Sequence, residues 1–149
     1  MFVRVWLKRI RSRRPFWIYS SREMGRAAAF VTPDLSGILE RAKTEYKWTG
    51  RNDATEAELW YDRFLQLVWD NPGGVTYMVG EKADQLWHTH ISFTTRYRDY
   101  CLAIFGFVLD HTPTPNAPPL TAAEVAAATA PYTTNGWGPI TPDMIVPCR

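Results

Sequence analysis

Apolar side chains recur at helical spacing in five successive segments of the chain, and this pattern constrains the fold more than any other feature. Residue types that favour helix starts and ends flank the segments, such as Thr121 and Glu124 at the spacing of a capping box, and Gly106 after the fourth segment. The short stretch 75–79 is β-prone and fits either a strand or an extended connector. The five predicted helices cover residues 32–46, 53–70, 80–92, 94–105 and 121–130.

These segments predict a mainly α protein that folds as a single compact helical domain with an irregular, proline-rich C-terminal tail. A length of 149 residues suits one domain, and a hydrophobic content of 46% is enough to form a core. We expect a basic N-terminal arm at residues 1–30 and a helical core domain at residues 31–113. A short Ala-rich helix and a wrapping tail follow at residues 114–149.

Positive charge is concentrated at the N-terminus, where residues 1–23 hold seven Lys or Arg and one Glu. The rest of the chain is net acidic, so the overall composition gives no basis for a nucleic-acid-binding protein. The arm by itself fits a basic amphipathic helix that contacts an anionic surface or nucleic acid. A disordered arm, and a natural translation start at Met24, are open alternatives.

The chain contains two cysteines, Cys101 and Cys148, which do not indicate a disulfide scaffold in a domain with this apolar content. Its apolar runs are shorter than the roughly 20 residues that a transmembrane helix needs. Charged residues interrupt the N-terminal stretch where a secretory signal would lie. We therefore expect a cytoplasmic protein without a transmembrane segment.

All three histidines of the chain, His88, His90 and His111, lie close together in sequence, near Asp84 and Cys101. Neutral imidazole is the commonest metal-ligating side chain, and three nitrogen ligands with one open position are typical of catalytic zinc. The pattern predicts a site for a divalent metal such as zinc, with the three histidines as ligands. Asp84 and Cys101 are candidate supporting or alternative ligands.

Helical spacing limits how these side chains can converge. On a regular helix His88 and His90 point away from each other, whereas Asp84 and His88 are four residues apart and share a face. An Asp84–His88 pair has three uses: orienting a metal ligand, acting as a general base, or forming a structural hydrogen bond. In the structural interpretation Trp87 and His88 are buried, and the imidazole bonds a backbone carbonyl or His111.

Residues 83–113 resemble the glycine-rich domain-containing protein-like family, in particular its short bacterial relatives. The resemblance rests on the run from Ala83 to Ile91 and on an Asp-x-x-Trp-His-x-His pattern that is followed by Tyr, Cys, Phe-Gly and a last His before Pro. It implies a helical domain without an established activity, and the glycine-rich region of the plant members is absent here. The signature positions are Asp84, Trp87, His88, His90, Tyr97, Cys101, Gly106 and His111, of which Trp87, Tyr97 and Gly106 are expected to be structural.

Two functions are consistent with the sequence. The first is a small helical domain whose histidine-centred polar site binds a divalent metal, with hydrolysis as one use of that metal. The second is a non-enzymatic interaction module in which the histidines, Asp84 and the aromatic residues hold the fold together. The sequence assigns neither a reaction nor a substrate.

Overall fold

The structure, a computed structural model, describes residues 25–111 and 118–146, and the chain within these ranges is mainly helical. Five α-helices and a two-stranded sheet occur there, so the predicted fold class is confirmed. The elements, in chain order, are α1 Ile38–Glu45, α2 Asp53–Asp70, β1 Met78–Val79, α3 Glu81–Ser92, α4 Thr94–Phe105, α5 Ala122–Thr134, a short 3-10 helix Pro142–Met144 and β2 Ile145–Val146.

Helix α3 lies at the centre of the molecule, where it packs against α1, α2, α4 and both strands. Its inner face is apolar because Ala83 and Leu86, three residues apart, are both buried. On α2, Tyr61 and Leu65 are four residues apart and fully buried. The candidate site residues from Asp84 to His90 therefore belong to the most enclosed helix of the fold.

The C-terminal part of the chain packs onto the same core. Strand β2 pairs antiparallel with β1, placing Met78 opposite Val146, and the Gly80 amide donates to the Met144 carbonyl at 2.7 Å. Tyr132 on α5 is fully buried, and its hydroxyl donates to the Tyr77 carbonyl at 2.7 Å. Between α5 and residue 146, the end of the described range, the tail is irregular apart from the 3-10 helix and β2. The predicted division of the chain at residue 113 stays a prediction.

Helix α4 ends as expected, because Gly106 adopts a left-handed conformation with a φ of 79°. Helix α1 begins later than expected, at Ile38 rather than near residue 33. The Asp34 carboxylate accepts a hydrogen bond from the Ser36 amide, which closes a local turn, and Gly37 with a φ of 77° stands directly before the helix. Asp34 therefore stabilises a turn that precedes the helix.

Most of the predicted N-terminal arm, including the basic residues before Met24, lies outside the described residues. In the described part, the Ala27 amide donates to the Ile104 carbonyl at 3.0 Å, and the Arg26 guanidinium lies 3.6 Å from the centre of a Trp69 ring. These contacts attach residues 26 and 27 to the domain. No helix in the described ranges combines the length and the apolar character that crossing a membrane requires.

Candidate functional site

Asp84 and His88 form the helical half of the candidate site. They are four residues apart on α3, so they share one face, and the Asp84 Oδ2 atom lies 3.5 Å from His88 Nε2. The Asp84 side chain is 13% exposed and the His88 side chain 36% exposed. A carboxylate and an imidazole are thus held side by side at the edge of the core, within reach of solvent.

His111 completes the group from the segment that follows α4. Its Nε2 atom lies 2.5 Å from His88 Nε2, and the centres of the two rings are 4.5 Å apart. Ligand atoms from Asp84, His88 and His111 all lie within 4.8 Å of one another. The structure therefore brings two of the three predicted imidazoles together with the carboxylate that sequence spacing paired with one of them.

A short chain of hydrogen bonds fixes the position of the segment that carries His111. The Trp87 indole nitrogen donates to the Tyr97 hydroxyl at 3.0 Å, and that hydroxyl donates to the Leu109 carbonyl at 2.7 Å. The Trp87 ring also packs on His111, with ring centres 4.4 Å apart. The left-handed Gly106 reverses the chain after α4, so these contacts direct His111 toward α3.

The surroundings of His111 favour its neutral form. Burial lowers the pKa of this imidazole, the neighbouring His88 lowers it further, and the Asp84 carboxylate acts in the opposite direction. A neutral imidazole keeps a lone pair that can coordinate a metal or accept a proton. The group can therefore hold a cation or share a proton between its two rings.

His90 lies apart from this group. It is 1% exposed, its Nδ1 atom is 2.9 Å from the Tyr61 hydroxyl, and its ring is surrounded by Tyr61, Tyr97 and Tyr100. Burial, with a smaller contribution from Arg96, lowers the pKa of His90 to about 4. Because α3 is a regular helix, His88 and His90 project in different directions, and His90 is a neutral member of the core.

Cys101 is also separate from the group of Asp84, His88 and His111. It is fully buried on α4, and burial raises the pKa of its thiol to about 11. Tyr97 is its neighbour on the same helix and contacts the thiol. A protonated, enclosed thiol is a small core side chain, in agreement with its place on the apolar face of the helix.

Two residues of α2, Tyr61 and Asp62, also place polar atoms in the interior, although neither was predicted from the sequence as a site residue. Tyr61 faces His90, and the Asp62 Oδ1 atom is buried without a hydrogen-bond partner among the described residues. Tyr61 lies three, four and seven residues before the buried Phe64, Leu65 and Val68, a spacing that places it on the inner face of the helix. No sequence pattern identifies which polar atom it meets there.

Comparisons with known proteins give one match. A search of curated proteins and a search of solved structures found no similar chain. The family model named UCP032817-like matches residues 29–125, which is more than half of the chain and includes Asp84, His88 and His111.

The expected membership of the glycine-rich domain-containing protein-like family is wrong, because the family model that matches is a different one. The resemblance rested on residues 83–113, where Trp87 and Tyr97 form hydrogen bonds between α3, α4 and the following segment, and Gly106 ends α4. The matched region is much longer than that stretch and begins before α1. The chain belongs to the UCP032817-like family.

Proposed function

We propose that this small helical domain binds one divalent transition-metal ion through Asp84, His88 and His111. The observation that carries the proposal is the convergence of three ligand atoms, from a helix and from a tethered segment, within 4.8 Å of one another. The predicted three-histidine set is thereby revised, with the Asp84 carboxylate in the place of His90.

The donor set indicates the class of metal. Two imidazoles and one carboxylate occur at catalytic zinc sites and at non-haem iron(II) sites, and both kinds of site leave at least one coordination position open. A metal in such a site acts as a Lewis acid or lowers the pKa of a bound water molecule. Metal-dependent chemistry on a small molecule, with hydrolysis as one form, is therefore the proposed activity class.

The spacing of the imidazoles supports shared ligation. Two nitrogens that each lie about 2 Å from one ion, at a tetrahedral angle, are about 3 Å from each other. The His88 and His111 Nε2 atoms are 2.5 Å apart, which is slightly closer than two ligands of one ion, so the two rings would have to separate when the ion binds. The third donor, Asp84 Oδ2, lies 3.5 Å from His88 Nε2.

We also propose that the protein works in a reducing compartment such as the cytoplasm. Cys101 is a free, buried thiol, which suits a reducing environment such as the cytoplasm. Iron(II) and reduced thiols are both maintained under such conditions, so the candidate metals and the thiol state are compatible.

Metal titration of chelator-treated protein without an affinity tag tests the proposal. We expect zinc or iron(II) to bind at one equivalent and to raise the melting temperature. Asp84→Asn should weaken binding by at least the ~10-fold that loss of an outer hydrogen-bond partner causes at metal sites. Asp99→Asn, at an exposed position of α4, is the matched control and should bind as the unmodified protein does. Binding far below one equivalent, or equal effects of both substitutions, contradicts the proposal.

A second candidate is an interaction module in which the same cluster is structural. The hydrogen bond between His88 and His111, together with the packing of Trp87 on His111, already attaches the segment to α3 without an ion. In this case His88→Ala lowers the free energy of unfolding of metal-free protein by about 1–3 kcal/mol, and added metal changes nothing. The metal proposal instead predicts that His88→Ala and the unmodified protein differ little in free energy of unfolding without metal. Most of the difference between them should arise when metal is added.

A further inference from the structure

A cleft of about 350 Å³ opens between the C-terminal part of α2, the loop after it and the segment after α4. Its walls include three aromatic rings, those of Phe64, Trp87 and Phe107. His111 lines the cleft but Asp84 and His88 do not, so it shares one residue with the candidate metal site. The cleft is therefore a separate candidate binding site with largely apolar walls.

The rim of this cleft is unusually apolar for an exposed surface. Val75 and Val108 both line it and are 78% and 37% exposed. They are two of the four large apolar side chains that are exposed in the described part of the chain, the others being Val31 and Leu59. Exposed apolar side chains that gather at the mouth of a cleft indicate a surface that another apolar group covers.

The backbone along two sides of the cleft is open to a further chain. Residues 75–77 and 108–110 belong to neither a helix nor a strand. Within the described ranges, the backbone groups of Val75, Thr76 and Val108 form no hydrogen bond to other residues. An extended peptide can pair with open backbone groups of this kind while its side chains enter an adjacent pocket. These features favour a polypeptide segment over a small molecule as the occupant.

The described part of the chain begins close to this cleft, at Gly25. The Ala27 amide donates to the Ile104 carbonyl at 3.0 Å. Ile104 precedes Phe107, which lines the cleft, by three residues, and three residues span at most about 11 Å. The chain that leads into Gly25 is therefore anchored beside the cleft.

A suitable apolar segment precedes this anchor in the sequence. Residues 16–19 read Phe-Trp-Ile-Tyr and lie within residues 15–21, the longest stretch before Gly25 without a charged side chain. All four residue types favour extended, strand-like pairing. Residues 20–24 separate the segment from Gly25 and can span up to about 20 Å. A tether this short gives the segment a high effective concentration at any site within its reach.

We infer that residues 16–19 dock in the cleft of their own chain, beside residues 75–77 and 108–110, and cover Val75 and Val108. Side chains of an extended segment alternate in direction, so two of the four enter the cleft and two lie over its rim. The occupant is thus part of the protein itself, and docking closes the cleft to other molecules. No contact with a metal is involved.

NMR of the full chain, treated with chelator to remove metal, tests the inference. We expect nuclear Overhauser effects between the methyl groups of Val75 and Val108 and the aromatic rings of residues 16–19. Gly73 and Gly74 line the cleft, and their amide resonances report whether it is occupied. The absence of these Overhauser effects overturns the inference.

A double substitution in the segment, Trp17→Ser with Ile18→Ser, should shift the Gly73 and Gly74 amide resonances because the cleft empties. Val5→Ser with Trp6→Ser is the matched control, since it removes the same kinds of side chain from a charge-interrupted stretch of residues 1–24. The control should leave both glycine resonances unchanged. Equal effects of the two double substitutions contradict the inference.

A substitution on the other side of the contact gives an independent test. Val75→Asp places a charge at the apolar rim, and the exposure of Val75 means that the fold tolerates it. Chymotrypsin should then cleave after Trp17 and Tyr19 several-fold faster than in the unmodified protein, because the segment is released. Val31→Asp is the matched control, since Val31 is also exposed, at 57%, and does not line the cleft. Equal cleavage of the two variants overturns the inference.

A mixture of isotope-labelled and unlabelled protein separates docking within one chain from docking between two copies. We expect the Overhauser effects only within labelled molecules. Effects between labelled and unlabelled molecules would assign the cleft to a second copy and overturn the inference. Because these measurements use metal-free protein, their outcome is separate from that of the metal titration.

Discussion

At the scale of single residues, His88 and His90 differ because helix geometry turns them in different directions. His88 is 36% exposed beside Asp84 and His111, whereas His90 is 1% exposed among tyrosine rings. Desolvation of the charged form holds His90 neutral, and the Tyr61 hydroxyl satisfies its Nδ1 atom. The same side chain is therefore a candidate ligand at one position and a core residue two positions later.

Asp62 gives a prediction at this scale. Burial, and secondarily Glu58, raises the pKa of Asp62 from 3.8 to about 6. Between these values the folded state binds more protons than the unfolded state, so the contribution of Asp62 to stability falls as the pH rises from about 4 to about 6. Asp62→Asn should therefore raise the free energy of unfolding at pH 7 by about 1 kcal/mol, discounted for partial exposure.

Urea unfolding of Asp62→Asn and the unmodified protein, at neutral pH and at a pH below the ordinary range of Asp, measures this effect. The two proteins should differ at neutral pH and agree in acid. Asp99→Asn, at an exposed position, should show no such pH dependence. A loss of stability in Asp62→Asn that is the same at both pH values would mean that the carboxylate is needed in the fold.

At the scale of elements, helix α4 uses the Tyr97 hydroxyl to position the segment that carries His111. Tyr97→Phe removes the acceptor of the Trp87 indole and the donor to the Leu109 carbonyl. We expect it to lower the free energy of unfolding by about 1–3 kcal/mol because buried partners lose their hydrogen bonds. Metal affinity should also fall, since His111 follows Leu109 closely.

Tyr100→Phe is the matched control on the same helix, because its hydroxyl donates to the Val31 carbonyl at an exposed position. It should leave metal affinity unchanged. Isothermal titration with zinc compares the two variants, and equal affinities would show that the Tyr97 bond does not position His111.

The helices of this protein were predictable where local chemistry alone sets their ends. Thr121 and Glu124 form the capping box that their spacing predicts, and α4 ends at Gly106. Helix α2 begins at Asp53, the first residue of its predicted range. At this helix start the Asp53 carboxylate accepts a hydrogen bond from the Gly50 amide at 2.8 Å. It also forms an ion pair with Lys82, and this second contact depends on tertiary packing.

At the scale of the whole molecule, α5 and the tail share the core with the helices before them. Tyr132 is fully buried, its ring lies near Trp60 and Trp137, and its hydroxyl bonds the Tyr77 carbonyl. Tyr132→Ala should therefore lower the free energy of unfolding by about 3–5 kcal/mol, as for other large aromatic truncations.

Thermal unfolding followed by circular dichroism and by tryptophan fluorescence checks this prediction. Both probes should give one shared transition at a lower temperature than in the unmodified protein, because a single core unfolds cooperatively. Separate transitions, or a melting temperature that does not change, would mean that α5 is not part of the cooperative unit.

The sequence predicts only part of the candidate site, because some of its contacts join residues that are far apart in the chain. Asp84 and His88 are paired by helical spacing alone, and the same spacing separates His90 from His88. His111 reaches them because Trp87 and Tyr97 hold the segment after α4, and no local pattern encodes that return of the chain. Long-range packing therefore decides which histidines meet.

Imidazole NMR of the three histidines during zinc titration tests the central claim most directly. The chain contains three histidines, so each ring can be followed as a separate signal. We predict that one equivalent of zinc shifts the Nε2 resonances of His88 and His111 together and leaves His90 unchanged. Unshifted rings of His88 and His111, or a shift of His90 in their place, would contradict the account.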